Sequence, residues 1–309
     1  MPGVLTSFWC PCLHTLSSGM DLLKAQKPLH INRRVLLGGA GGGGCSKRAT
    51  LDGPGFSWAA MARGCMRRPE RSSCENGRED LRERKAQSTT CDMSHVEKEI
   101  KRTIMESFKK TDEDFLKRAA SYKPSWKDGT TAVLVVAIDN TLYIANLGDS
   151  KAILCRYHEE SQKHIAIPLS KDHSPTDYGE RMRIQKAGGF VKDGRVLGVL
   201  EVSRSIGDGQ YKRCGVSCLP DVMRCQLTPA DRFLVLACDG LWKVFTSDQV
   251  LASVLATLQD ETIAAEGDKK RTLELRYEAA CSKLANEAVR KLSGDNVTVV
   301  IVHIDQGRQ

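Results

Sequence analysis

Two short apolar runs, Phe233-Leu234-Val235-Leu236-Ala237-Cys238 and residues 297–304, constrain this chain more than any other feature. Each is short for a helix and rich in β-branched or large aliphatic residues, so both read as buried strands. The first ends directly at Asp239-Gly240, and the second follows Asp295-Asn296. A carboxylate at a strand end is held by fixed backbone at a point that solvent still reaches. Oxygen ligands placed in that way suit Mg²⁺ or Mn²⁺, hard cations that keep several waters. Such an ion makes water nucleophilic near neutral pH, so metal-assisted hydrolysis is the leading chemistry.

The rest of the carboxy-terminal two thirds alternates between strand and helix patterns. Ser94-x-x-Glu97 has capping-box spacing. Val96, Ile100, Ile104, Phe108, Thr111 and Phe115 follow at three- to four-residue intervals and predict an amphipathic helix. Residues 131–138 are β-branched and apolar and predict a buried strand. Residues 142–146 and 151–156 flank Leu147-Gly148-Asp149-Ser150, which reads as a hairpin. Residues 195–202 read as short extended pieces. Ser247 is the expected cap of a helix with Val250, Leu251, Val254, Leu255 and Leu258 on one face. Leu273, Tyr277, Ala280, Leu284 and Ala288 mark another helix, and there is no internal repeat. Hairpin-type strands with amphipathic helices predict an α+β class with antiparallel sheet.

Residues 1–92 differ in kind. They hold fourteen Lys/Arg against eight Asp/Glu, so six of the eight net positive charges lie there, and residues 38–44 are almost pure glycine. No periodic pattern persists, so this segment is expected to be a basic, disordered leader, with the globular domain over 93–306. A solvated leader is the simpler reading of its charge than a nucleic-acid or membrane contact, and neither partner is expected. The twelve cysteines include Cys10-x-Cys12 and Cys214-x3-Cys218, which lack partners at zinc-site spacing. They read as reduced thiols. With no 18-residue apolar run, and with Pro11 inside a weak amino-terminal apolar stretch, a cytoplasmic or nuclear location is expected.

Four acidic turns could carry chemistry: Asp128-Gly129, Asp149 in Gly148-Asp149-Ser150, Asp239-Gly240 and Asp295-Asn296. Asp-Gly is a common turn pair, and each site alone is explained by that. Their shared place at strand ends matters more, because carboxylates that converge on one rim repel unless a cation neutralises them. The other polar residues have plainer readings. His173 precedes a turn and reads as a cap or flap residue, while His158, His164 and His303 read as surface or strand positions. Arg195 and Arg204 could face phosphate but have Asp193 and Glu201 as nearby partners, and Trp242 reads as core.

Six segments occur in order: Gly129-Thr130-Thr131-Ala132, Ala145-Asn146-Leu147-Gly148-Asp149-Ser150, Arg195-Val196-Leu197-Gly198, Val202-Ser203-Arg204-Ser205-Ile206-Gly207-Asp208, Ala237-Cys238-Asp239-Gly240-Leu241-Trp242 and Gly294-Asp295-Asn296-Val297-Thr298-Val299. Together they resemble the metal-dependent type 2C (PPM) serine/threonine protein phosphatases, over residues 94–305. Residues 182–189 and 207–216 narrow the resemblance to one member, for which a kinase signalling complex is an expected partner. The resemblance implies a central sandwich of two antiparallel β-sheets flanked by helices. It also implies two Mg²⁺ or Mn²⁺ ions bridged by a water that attacks phosphoserine or phosphothreonine in phosphoprotein substrates. Asp239 would bind the metal pair, Asp295 would complete it and Asp149 would help hold a third ion. Asp208 would be structural, Gly129, Thr130 and Thr131 would shape the sheet beside the site, and the chain would be a monomer.

The chain also departs from that pattern. The family's phosphate-gripping Arg, its early acidic pair and its Asp-Gly-His-Gly-Gly motif are not recognisable, so no catalytic side chain is assigned and the first strands are expected to be missing. Asp52-Gly53-Pro54-Gly55 lacks the His and a preceding apolar strand, and Arg78-Glu79-Asp80 lacks supporting context. Lys243 stands where many relatives carry an acidic ligand for a third ion. Two carboxylates alone would hold Mg²⁺ weakly. The rival readings are therefore a catalytically impaired pseudophosphatase acting as a binding protein, and an amino terminus altered by splicing or an imperfect gene model.

Overall fold

The computed structural model describes residues 4–5 and 93–305. The expectations for the leader, the missing first strands, Asp52 and Arg78 fall outside the described residues. Helix α1 (Met93–Ala120) starts one residue before Ser94, which lies inside its first turn rather than ahead of it. In the half of α1 up to Ser107, Arg102 bonds Glu99 and Glu106 at helical spacing. From Phe108 onward the helix belongs to the main compact unit, where Phe108 is fully buried and the buried Asp112 accepts the Gly207 N–H at 2.7 Å.

The main unit is built on two four-stranded antiparallel sheets. The first orders β1 (Val4–Leu5), β3 (Ala132–Ile138), β4 (Thr141–Leu147) and β10 (Asp221–Gln226). The second orders β12 (Val299–His303), β11 (Asp231–Ala237), β5 (Lys151–His158) and β6 (Lys163–Pro168). Short ladders join β2 (Gly129–Thr130) to β9 (Ile206–Gly207), and β7 (Val191–Lys192) to β8 (Arg195–Val196). Strand alternation explains the layering, because successive side chains point to opposite faces. Ala152, Leu154, Leu234 and Leu236 meet Val133, Val135 and Ile144 between the sheets. Ile153, Cys155, Phe233 and Val235 face the other way, onto Val250, Val254, Tyr277 and Leu284 of helices α5 (Ser247–Leu258) and α6 (Lys269–Arg290). The expected α+β sandwich with flanking helices is the observed architecture.

Two local expectations change. The hairpin around Gly148-Asp149 is not one: β4 pairs with β3 and β10, while β5 pairs with β11 and β6. The Leu147-to-Ser150 turn is instead the crossing between sheets; β4 forms a hairpin with β3, closed by Asp139-Asn140 with Asp139 at φ 50°, and β5 forms one with β6. The cap of α5 is Thr246, not Ser247: its side chain accepts the Gln249 N–H, and the Gln249 side chain accepts the Thr246 N–H. The remaining helices are α2 (Tyr178–Lys186), α3 (Gly209–Lys212) and α4 (Asp239–Trp242).

Candidate metal centre

Sheet register places the three predicted ligands on one rim. Lys151 of β5 lies opposite Ala237 of β11, and Ala237 lies opposite Val299 of β12. Asp149 stands two residues before the first of these, Asp239 two residues after the second, and Asp295 four residues before the third. All three line one open cleft of about 420 Å³, together with Thr130, Glu201 and Asp208. Asp128, the fourth acidic turn, is exposed and is not part of the cleft lining.

Each carboxylate is set by local bonding. Gly148 has φ +100°, and a Cβ there would sit 2.2 Å from Thr131 Cγ2, so only glycine fits the crossing that presents Asp149. Its N–H donates to His173 Nδ1 at 3.0 Å, and its carbonyl accepts the His173 N–H at 2.9 Å. Ser150 Oγ and Thr131 Oγ1 share a hydrogen bond of 2.8 Å on the other side. Asp239 opens α4 directly after β11. A Cβ on Gly240 would lie 2.2 Å from the Asn296 carbonyl, so glycine lets this turn and the Asp295 loop close together. Cys238 Sγ donates to the Asn296 carbonyl at 3.0 Å, and Ser293 Oγ donates to the Gly240 carbonyl at 2.5 Å.

Lys243 completes the arrangement. Its Nζ lies 2.5 Å from Asp239 Oδ2 and 2.9 Å from Asp295 Oδ2, with Glu201 Oε2 at 3.7 Å. Burial alone would lower the Lys243 pKa, but bonds to the two carboxylates outweigh it and hold it well above the usual range. Burial likewise acts to raise Asp295, and the Lys243 ammonium and the Asn296 N–H overcome it and lower it. Among the described residues Asp149 forms no ion pair, and the Lys243 charge only partly offsets what raises it. Burial, aided by the Asp239 charge, pushes it up to about 6.

The donor chemistry can be tested against a divalent ion. Among the described residues no three His, Cys, Asp or Glu side chains close into a ligand cage. Two carboxylates nevertheless converge on a single positive charge, with Lys243 standing in for it, and the pKa of a third, Asp149, is raised by burial and by the Asp239 charge. Hard, anionic oxygens around a cation position fit Mg²⁺ or Mn²⁺ and not a thiophilic metal.

Other assignments resolve plainly. His173 is buried and holds the Asp149 crossing. Arg195 pairs with Glu201, as its position suggested. Arg204 pairs instead with Glu180 at 2.7 Å and Asp221 at 2.8 Å. Trp242 donates Nε1–H to the Ala237 carbonyl at 2.9 Å, bracing the Asp239 turn rather than facing solvent. Sequence reasoning underweighted Lys243. The available signal was its four-residue spacing from Asp239, which puts both side chains on one helical face.

These features agree with the comparisons to known proteins. The protein phosphatase 2C family profile matches residues 63–297. An integrin-linked kinase-associated serine/threonine phosphatase 2C from Bos taurus is 66% identical over 209 residues, covering 68% of this chain and 56% of that protein. Its counterpart from Homo sapiens is 65% identical over 213 residues, covering 69% of this chain and 54% of that protein. The chain thus spans about half the length of the curated relatives it matches. The crystal structure of a serine-threonine phosphatase 2C from Toxoplasma gondii superposes with a TM-score of 0.55 over 70% of this chain and 72% of that one, at 23% identity, a likeness of fold alone. With most of its length matched by that profile, the chain belongs to the protein phosphatase 2C family.

Proposed function

We propose that this chain is a metal-dependent protein serine/threonine phosphatase whose described residues supply the Asp149, Asp239 and Asp295 portion of the metal centre. The observation that carries the reading is the rim itself: three carboxylates from three strand ends line one cleft. A bound Mg²⁺ or Mn²⁺ would supply Lewis-acid neutralisation of phosphoryl oxygens and a water of lowered pKa. Asp239 and Asp295 would hold it through anionic oxygens, kept adjacent by the Gly240–Asn296 contact. Asp149, fixed by the His173 bonds to Gly148, would contribute from the same cleft. The open cleft admits a side chain presented on a protein surface, in keeping with phosphoserine or phosphothreonine substrates. The name of the curated relatives points to a kinase signalling complex as the setting.

The test is Mn²⁺-dependent hydrolysis of a phosphothreonine peptide by the full chain and by Asp239→Ala. Loss of an outer-shell partner of a metal typically costs 10–100-fold, so loss of a direct ligand is expected to lower kcat/KM by at least about 100-fold. Turnover equal in the variant, or independent of Mn²⁺, would refute the proposal. Mn²⁺ binding without turnover would favour a phosphopeptide-binding role instead.

A further inference from the structure

Among the described residues, Lys243 is the cation lodged between Asp239 and Asp295. Its position is set by backbone: the Lys243 N–H donates to the Asp239 carbonyl at 2.8 Å, continuing the turn of α4, so the ammonium folds back over Asp239. The Asp295 loop comes to it through the close approach of Gly240 and Asn296. A third carboxylate, Glu201, lies 3.7 Å from the same Nζ on the far side and is also bonded by Arg195. Lys243 Nζ therefore has three carboxylates around it, two close and one at 3.7 Å.

We propose that Lys243 is a tethered competitor for the divalent ion, bridging Asp239 and Asp295 when no metal is bound and swinging toward Glu201 when one enters. The proposal rests on the reading that Asp239 and Asp295 are metal ligands. A carboxylate oxygen bonded to an ammonium is not free to coordinate, so the competent form of the site is only the fraction in which Lys243 has moved. The apparent Kd is then the intrinsic one divided by that fraction. Tethering makes the competitor's local concentration independent of the surrounding salt. The site is thereby tuned to fill only when the divalent ion is abundant, and Lys243 sets that threshold.

The experiment is Mn²⁺ titration calorimetry on the full chain, with Lys243→Met, Lys243→Arg, Glu201→Gln and Asp239→Ala. Lys243→Met is expected to tighten binding by about tenfold, the gain when a clamp populated about nine times in ten is removed. Lys243→Arg keeps the bridging charge and should bind within about threefold of the parent. Glu201→Gln, which takes away the resting partner of the displaced ammonium, should weaken binding by roughly threefold to fivefold. Thermal melting of the metal-free chains gives a second readout, since Lys243→Met should melt lower than the parent while Asp239→Ala/Lys243→Met recovers. Binding that is unchanged or weaker in Lys243→Met, with Asp239→Ala abolishing it, overturns the competitor and leaves the metal site intact. Absence of Mn²⁺ binding in both the parent and Lys243→Met overturns the site reading and the competitor together. Binding by Lys243→Met alone supports the competitor.

Discussion

Two charged clusters sit in the same unit and answer burial in opposite ways. Around α2, the buried Glu180 receives Arg183 at 2.7 Å, Arg204 at 2.7 Å and the Ser203 hydroxyl at 2.5 Å, and Asp221 receives the other edge of Arg204 at 2.8 Å. Two acids meet two guanidiniums, and almost every oxygen has a donor. At the rim, one lysine bridges Asp239 and Asp295, and Asp149 lines the same cleft outside that bridge. The balanced cluster is a fastening, since its charges are satisfied from within. The acid-rich cluster is unfinished in charge, and a group of like charges retained at a cleft needs something from outside. Charge balance, rather than the number of acidic residues, separates a structural network from a functional one here.

The largest effect should come from breaking the balanced side. Glu180→Ala would leave Arg204, with 17% of its side chain exposed, and Arg183, at 33%, facing each other without their carboxylate. Removing one partner of a buried pair costs about 3–5 kcal/mol, and the partial exposure of Arg183 argues for about 3 kcal/mol. Asp295→Ala on the rim, where the carboxylate is 40% exposed, should change the stability of the metal-free chain by about 1 kcal/mol or less. Urea unfolding of both variants checks the contrast, and equal losses would show that the two clusters do not differ in kind.

Much of this contrast was legible before the fold. Phe233 to Ala237 and Val299 to His303 read as strands because their apolar runs are short and β-branched, and that placed Asp239 and Asp295 at strand ends. The rim itself was not legible. It depends on which strands pair, and the sheet crossing after Leu147 looks locally like a hairpin turn, with the same glycine and acidic residue. The α2 network was invisible for a related reason. Glu180 and Arg204 are 24 residues apart and meet only through tertiary packing, whereas the sequence offers Arg204 only its neighbours. The four-residue spacing of Lys243 from Asp239 carries meaning only with the helical turn after Asp239, which the apolar run ending at Cys238 does not foretell.

A smaller effect is opposite pH behaviour of the two clusters in the metal-free chain. Burial acts to raise Glu180, but the bonds from Arg204, Arg183 and Ser203 outweigh it, so its pKa lies well below the unfolded value. That stabilisation is present above the unfolded carboxylate range and is lost as pH falls through the folded value. Asp149 has the reverse sign. With its pKa raised from 3.8 to about 6, its contribution favours the fold at low pH and is lost as pH rises through about 6, a change of about 3 kcal/mol. Stability measured from about pH 4 to 7 should therefore flatten in Asp149→Asn, while Glu180→Gln should flatten only the more acidic limb. A pH profile indifferent to Asp149→Asn would mean that the rim is already neutralised without a metal.

The smallest effect belongs to His173, the residue that touches both clusters. Nε2 lies 3.2 Å from Asp221 Oδ2 in the balanced network, while Nδ1 accepts the Gly148 N–H beside Asp149. An accepting Nδ1 puts the proton on Nε2, so the ring is neutral and directed toward Asp221. Burial and the Arg204 charge lower its pKa, with Asp221 opposing them, which keeps the accepting nitrogen free near neutral pH. His173→Leu removes that acceptor and leaves the buried Gly148 N–H unpaired, whereas His173→Asn can offer its amide oxygen at a similar place. The difference in unfolding free energy between the two should be about 1 kcal/mol, the net worth of one hydrogen bond. It should be accompanied by a roughly tenfold weaker Mn²⁺ affinity in the Leu variant, as expected when a support of a ligand is lost. If both variants bind Mn²⁺ like the parent, the rim holds Asp149 without help from the balanced cluster, and the two are neighbours rather than parts of one device.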